Sequence, residues 1–323
     1  MPRHRLTFAL LLFLATGSLL LALSVGSLAL DGAVVWDALM GRGGQGSDIV
    51  LTLRLPRALA AFAVGGLLAL SGALMQILLR NPLADPYVLG TSGGASIGAM
   101  LALCLGWAAG ALEGLAFLGA VGSLFLVFAL AKQEGAWSQT RLLLTGVIVA
   151  SGCSAVVALL LSIAPETQLR GMLFWLMGDL AQARHPEWAL GTLLGVLLVS
   201  LCFARGFNVL SRGNVQAQML GIPVKQLHWI GVLLAALSTA VAVTQAGAIG
   251  FVGLVVPHGL RHIVGNDQRI LFPFSVLAGG SLLVLADTLA RTLLAPQQLP
   301  VGVLTALIGV PLFLFLLARA GRS

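Results

Sequence analysis

Residues 58–79 read ALAAFAVGGLLALSGALMQILL, an apolar stretch without a charged side chain. A helix needs about 20 such residues to cross the ~30 Å hydrocarbon core of a lipid bilayer. A membrane β-strand would instead alternate apolar and polar side chains over about 10 residues. The stretch therefore predicts a membrane-spanning α-helix, in which the backbone N–H and C=O groups are hydrogen-bonded within the segment.

Comparable apolar stretches recur over the whole chain. Of its 323 residues, 59% are hydrophobic and 9% are charged, whereas a soluble domain carries about 25% charged residues. We predict an all-α polytopic membrane protein whose single transmembrane domain occupies residues 1–323. About ten spans are expected, at residues 6–30, 58–79, 88–106, 114–131, 142–163, 188–204, 227–247, 250–264, 271–291 and 301–318.

The placement of charge predicts the orientation of the chain. Lys and Arg collect in cytoplasmic loops, and with ten spans and an inner N-terminus most of the 18 basic residues fall on the inner side. We therefore expect both termini to be cytoplasmic. Because the basic residues are spread thinly through the loops, the net charge of +7 does not indicate a nucleic-acid surface. The span 250–264 is short and contains Pro257, so a broken or re-entrant segment is the alternative there.

Two polar connections are long enough to form structure of their own. The outer connection contains an amphipathic stretch at about residues 168–178, which predicts a short helix at the membrane surface. The inner connection, residues 205–226, is basic and is interrupted by Gly and Pro, which predicts one or two short helices on the cytoplasmic face.

The sequence offers no energy source of its own. It lacks the G-x-x-x-x-G-K-[ST] loop that holds ATP phosphates, so ATP hydrolysis is expected on a separate subunit. An ion-coupled secondary transporter is the alternative, but it would need ionisable groups deep in its helices. Asp287 and Arg291 share one helix face and are expected to neutralise each other. The three cysteines lie singly in apolar stretches, which argues against a metal site.

Several motifs, in order along almost the whole chain, resemble the FecCD-type permease family. They are Leu53-Arg54-Leu55-Pro56-Arg57, Gly72-Ala-Leu-Met-Gln76, Asn81-Pro82-Leu83-Ala84-Asp85-Pro86, Gly247-Ala-Ile-Gly-Phe-Val-Gly-Leu-Val-Val-Pro257-His258, Asp287-x-x-x-Arg291, and Leu299-Pro300-Val-Gly302. The resemblance implies the membrane subunit of a type II ATP-binding-cassette importer, in a bacterial inner membrane, for an iron-siderophore, haem or cobalamin.

The same resemblance implies partners and cofactors. A second copy of the chain, two cytoplasmic ATPase subunits and a periplasmic substrate-binding protein are expected to assemble with it in the lipid bilayer. ATP and Mg would be bound by the ATPase subunits, and this chain is expected to hold no cofactor and no metal. Which chelate is carried stays open.

The resemblance also assigns roles to individual residues. Docking of the binding protein is expected at Arg54, Arg57 and Arg291, for which anchoring at the lipid interface is the alternative. The cytoplasmic gate is expected at Ser138, Thr140 and Arg141, although Thr140 could instead cap a helix. The predicted coupling residues are Arg205, Arg212, Ala217, Leu220, Gly221 and Pro223. The predicted lining of the outer vestibule is Met172, Phe174, Trp175 and Met177.

Overall fold

The computed structural model describes residues 2–26, 30–44, 46–131, 139–181, 183 and 185–320. Long helices dominate this part of the chain. In order they are α1 (Pro2–Ser24), α2 (Gly32–Leu39), α3 (Leu55–Leu78), α4 (Thr91–Cys104), α5 (Ala109–Ala131), α6 (Gln139–Ile163), α7 (Glu166–Met177), α8 (Pro186–Cys202), α9 (Ala204–Leu210), α10 (Asn214–Met219), α11 (Val224–Ala246), α12 (Val252–Val264), α13 (Gln268–Thr292) and α14 (Val301–Ala320).

Each of the predicted spans overlaps one of these helices, so the all-α polytopic fold is confirmed. Within the described residues, six helical segments are long and apolar enough to cross a membrane, and α8 with α9 makes a seventh that bends by 63°. The remaining apolar helices are shorter: α4, α12 and the stretch Val301–Phe315 of α14. The start of the second span differs from the prediction. The chain is already helical from Ile49, through a π-helical turn that runs directly into α3.

The doubtful span at residues 250–264 is a half-length helix. Helix α12 has 13 residues and therefore rises by about 20 Å, which is less than the ~30 Å hydrocarbon core. It follows a non-helical stretch in which Phe251 has a φ of 69°. The structure therefore agrees with a broken segment rather than with a complete span.

Helix α3 is the centre of the bundle and is almost completely buried along its length. Its glycines allow close helix crossings. A Cβ atom on Gly65 would overlap the backbone of Gly279 in α13, and one on Gly72 would overlap the carbonyl of Gly253 in α12. Small residues bring helix backbones together in membranes, where there is no hydrophobic force between helices. The sequence GGLLALSG in α3 thus explains why α12 and α13 pack directly on it.

The only tyrosine of the chain, Tyr87, ties two distant segments together. It lies in a short 3-10 helix, Pro86–Leu89, before α4. Its hydroxyl donates to the carbonyl oxygen of Ile249 and accepts from the N–H of Ile249, each over 3.0 Å. Ile249 belongs to the non-helical stretch before α12, whose backbone groups lack helical partners. The hydroxyl therefore satisfies polar groups that would otherwise be buried unpaired.

Replacing Tyr87 with phenylalanine removes this hydroxyl and nothing else. Because Ile249 would then keep an unpaired N–H and C=O, we expect the free energy of unfolding to fall by about 1–3 kcal/mol. Equilibrium unfolding of the purified protein in mixed micelles measures the change. Ser162→Ala is the control, since its hydroxyl bonds only to Leu159 within its own helix and is exposed. Equal effects of the two substitutions would contradict the role given to Tyr87.

Candidate functional site

The two ends of the bundle carry different groups. We call the end at which α1 begins the near end and the opposite one the far end. At the far end, Asp287 of α13 lies between two arginines. Arg57 Nη2 is 2.8 Å from Asp287 Oδ1, and Arg57 Nε is 3.1 Å from both carboxylate oxygens. Arg291 Nε lies 3.1 Å from Asp287 Oδ2. This contact is an ion pair by distance but not a directed hydrogen bond.

The expected neutralisation of Asp287 by Arg291 is therefore observed, but Arg57 is the better-aligned partner. The Asp287 side chain is only 2% exposed, so its charge would be unsupported without the arginines. Arg57 also donates to Gln298 over 3.0 Å, which links α3, α13 and the connection to α14. We call Arg57, Asp287 and Arg291 the far-end ion cluster.

Arg54 has a different role from Arg57. Its guanidinium donates to the carbonyl oxygens of Leu23 and Ser24 over 2.7 and 2.9 Å, at the end of α1. Carbonyl groups at the C-terminal end of a helix have no hydrogen-bond partner within the helix, and a cation close to them stabilises the helix end. The three arginines at which docking is predicted differ in exposure. Arg54 and Arg291 are 6% and 7% exposed, so in this chain only Arg57 reaches partly to the surface.

Asp179 adds a negative charge beside this cluster, just after α7. Burial raises the pKa of Asp179, while a hydrogen bond from the Ala181 N–H and the positive charge of Arg57 lower it. The far end therefore combines one partly accessible guanidinium, which Asp287 holds in place, with a second carboxylate nearby.

The predicted surface helix is α7, Glu166–Met177. Its two faces differ sharply in exposure. Met172 is fully buried and Trp175 is 5% exposed, whereas Leu173 and Met177 are 43% and 44% exposed. Phe174 is half-buried, with Arg170 lying 5.7 Å above its ring.

Two of the four predicted vestibule residues, Met172 and Trp175, are buried. They pack against buried residues of α4 and α11, and Trp175 also lines a pocket with Asp179 and Gln245. Met177 remains on the open face. Leu173 was not predicted, although its spacing of four from Met177 is the signal that places both on one helix face.

The near end carries the segment 205–226, which forms the predicted short helices α9 and α10. Arg205, Arg212 and Pro223 are exposed, Ala217 is fully buried, and Gly221 has a positive φ of 73°. Leu220 is 69% exposed. Val215 and Met219, which were not predicted, are 64% and 82% exposed. These three large apolar side chains are thus exposed on the surface of the near-end segment. Neighbouring exposed apolar side chains often mark an interaction site.

This near-end segment is anchored to α13 through Asn208. The Asn208 side chain donates to Asp267 Oδ1 over 2.8 Å and accepts from the Gln268 N–H over 2.7 Å. Arg269 also hydrogen-bonds Asp267, and together these contacts lower the pKa of Asp267 to about 2. The Phe207 ring packs edge-on against Phe272 at 6.0 Å. Helix α13 therefore connects the near-end segment directly to the far-end ion cluster.

The predicted gate lies at the start of α6. Ser138 is outside the described residues. Thr140 is the second residue of α6 and is exposed, as is Arg141, whose Nη2 lies 3.5 Å from the carbonyl oxygen of Leu130. Among the described residues, no three His, Cys, Asp or Glu side chains are grouped in a way that could hold a metal.

Comparison with known proteins places this arrangement in a family. The model of the FecCD transport family matches residues 11–319. The vitamin B12 import system permease protein BtuC of Escherichia coli O127:H6 is 41% identical over 287 residues, which covers 86% of this chain and 86% of BtuC. The same protein of Escherichia coli O139:H28 is similar to the same extent.

Solved structures agree with this assignment. A chain described as an inward-facing conformation of a "metal-chelate type ABC transporter" matches with a TM-score of 0.85 and 31% identity, covering 98% of this chain and 99% of that chain. PsaBC from Streptococcus pneumoniae, solved in complex with Fab, matches with a TM-score of 0.59 and 20% identity, covering 81% and 90%. At that identity the second match supports the fold alone.

Proposed function

Because this chain belongs to the FecCD transport family, we propose that it forms the path for a cobalamin-type chelate. The chain is a permease subunit of an ABC importer for a metal-chelate nutrient, and it is a multi-pass inner-membrane protein. It is a transport subunit and not the ATPase. The proposed substrate rests on the 41% identity to permeases named for vitamin B12 import. Haem and iron-siderophores are the competing substrates.

In the proposed assembly, two copies of the chain enclose the path, and both termini are cytoplasmic. The near end then faces two ATPase subunits, which bind ATP and Mg, and the chain itself holds no cofactor. The far end faces a periplasmic binding protein. An ion-coupled mechanism has less support, because the buried carboxylate at the end of α13, Asp287, is already paired with two arginines.

The exposed apolar side chains of Val215, Met219 and Leu220 carry the proposal of an ATPase-facing surface. A short helix that inserts such side chains into a groove of a partner uses a common mode of recognition. The buried Ala217 fixes α10 on the bundle, and the exposed Arg205 and Arg212 flank the apolar surface. Movement of the ATPase would then displace α9 and α10 as a rigid unit.

At the far end we assign docking of the binding protein to Arg57, with Arg54 and Arg291 as supporting charges. A partly exposed guanidinium steers an acidic partner and fixes its orientation. Leu173 and Met177 of α7 lie on the open face and would meet the released chelate. At the near end, Thr140 and Arg141, with Ser138, would close the path.

Transport by the reconstituted complex tests the function and the substrate together. Proteoliposomes would contain the permease, its ATPase and the binding protein, loaded in turn with cobalamin, haem or a ferric siderophore. We expect cobalamin to give the largest rise in ATP hydrolysis and to accumulate inside. A response to haem or a siderophore alone would overturn the substrate, and no response to any of the three would contradict the importer itself.

Asn208 gives a more specific test of the coupling surface. Asn208→Ala removes both bonds between α9 and the start of α13, one of them to a charged carboxylate. We expect a loss of about 1–3 kcal/mol in unfolding free energy. We also expect ATP hydrolysis to continue while transport per ATP falls.

Asn214→Ala is the matched control, because the Asn214 side-chain oxygen makes no hydrogen bond. Unchanged transport per ATP in Asn208→Ala, with the stability loss present, would mean that Asn208 is purely structural.

A further inference from the structure

We propose that the near end of α12 is a binding site for the phosphate group of an anionic membrane lipid. The site is formed by His258, Arg261 and His262. Their spacing of three and four residues places them on one helix face. The rings of His258 and His262 meet edge-on, with centroids 5.1 Å apart. The inference does not depend on which chelate is transported or on which ATPase is the partner.

Polar atoms of His258 and Arg261 are buried without hydrogen-bond partners, whereas His262 is exposed. His258 is 7% exposed, and neither of its ring nitrogens makes a hydrogen bond. Arg261 Nε and Nη2 are likewise buried and unpaired. Among the described residues, the guanidinium donates one hydrogen bond, from Nη1 to Asn266 Oδ1, at the long distance of 3.5 Å. Arg261 as a whole is partly buried, and a cation withdrawn from water without a counter-charge is unfavourable, so an anion is expected beside Nε and Nη2.

The described part of the chain does not supply that anion. Asp267 is the acidic residue nearest in sequence, but its carboxylate is already bonded to Arg269 and Asn208. No ion pair involving Arg261 forms among the described residues. The described residues therefore leave the counter-charge of Arg261 to be supplied from elsewhere, and the proposal assigns it to a bound anion.

The surroundings favour a lipid as the source. The site lies at the near end of α12, just before Gly265. His258 packs against Phe313 of α14 with ring centroids 6.3 Å apart. Leu312 and Leu314, which flank Phe313 in the sequence, are 44% and 60% exposed, and Ile263 of α12 is 54% exposed. Cationic pockets between membrane helices, beside apolar surface for acyl chains, bind anionic head groups. Arginine suits a phosphate because its planar fork donates two parallel hydrogen bonds.

Thermal unfolding of the complete importer complex in neutral detergent tests the proposal. Phosphatidylglycerol is expected to raise the midpoint of the wild-type complex by about 2–4 °C or more, and phosphatidylcholine or inorganic phosphate much less. Arg261→Gln should lose this rise. Arg269→Gln should keep it, because Arg269 is exposed and already paired with Asp267.

The wild-type comparison decides the question even if Arg261→Gln does not fold. Equal shifts with the two lipids would overturn the site, and a full shift with inorganic phosphate would make it a free-phosphate site. If Arg261→Gln folds, keeps the lipid response and loses its ATPase subunits, the missing anion is an acidic side chain of the ATPase. That outcome would also overturn the lipid proposal. Arg261→Lys, which keeps the charge without the fork, should show a reduced preference for phosphatidylglycerol.

Discussion

Asp287→Ala is expected to lower the free energy of unfolding by about 3–5 kcal/mol, because it leaves two arginines without their shared counter-charge. The Arg291 side chain is 8% exposed and that of Arg57 is 13% exposed, so water can replace the carboxylate only in part. Asp287 also connects α3 to α13, and its loss should loosen the contact between these helices. Equilibrium unfolding in mixed micelles measures the effect.

An exposed pair provides the matched control. Arg42 and Asp37 form an ion pair of 3.4 Å with side chains that are 67% and 48% exposed. Exposed pairs contribute about 0–1 kcal/mol, so Asp37→Ala should change stability little. If the two substitutions have similar effects, Asp287 does not hold the far-end ion cluster together.

Gly72→Ala is the second substitution with a large expected effect. In a free helix this change is favourable by about 1 kcal/mol, since alanine has the higher helix propensity. Here the new Cβ atom would overlap the carbonyl of Gly253, which is backbone and cannot rotate away. Helix α12 would have to move off α3, and we expect a net loss of about 1–3 kcal/mol or more.

Gly122→Ala in α5 separates the two effects. A Cβ atom at Gly122 would meet nothing within 4 Å, so only the propensity term remains. We expect Gly122→Ala to be neutral or slightly stabilising in the same unfolding measurement. A stabilising Gly72→Ala would contradict the close crossing of α3 and α12.

Local sequence patterns were sufficient for some features of the site. Asp287 and Arg291 were paired correctly because four residues along a helix bring two side chains together. Amphipathic spacing predicted α7, and the run of Gly and Pro predicted the break into α9 and α10. The faces of these helices were harder to predict. Met172 and Trp175 are apolar enough for either the core or a substrate path, and only packing against other helices distinguishes the two.

Partners that are distant in sequence could not be predicted. Arg57 and Asp287 are 230 residues apart, and Arg54 reaches the end of α1 from 31 residues away. The same holds for Asn208 and Asp267, which are 59 residues apart. The motif containing Arg54 and Arg57 suggested two equivalent surface charges, yet one is buried at a helix end and the other belongs to an ion cluster.

The amino-acid sequence by itself determined that this is a helical membrane protein, because long, continuously apolar runs can be accommodated in lipid only as helices. Its ordered motifs indicated the FecCD family. The tertiary structure decided that α12 is a half-length helix, that Asp287 lies between two arginines, and that Tyr87 bonds the backbone of Ile249. The physical reason is that burial and ionic pairing depend on which helices become neighbours. The glycines of α3 permit close crossings, but the local pattern does not state that α12 and α13 are the helices that make them.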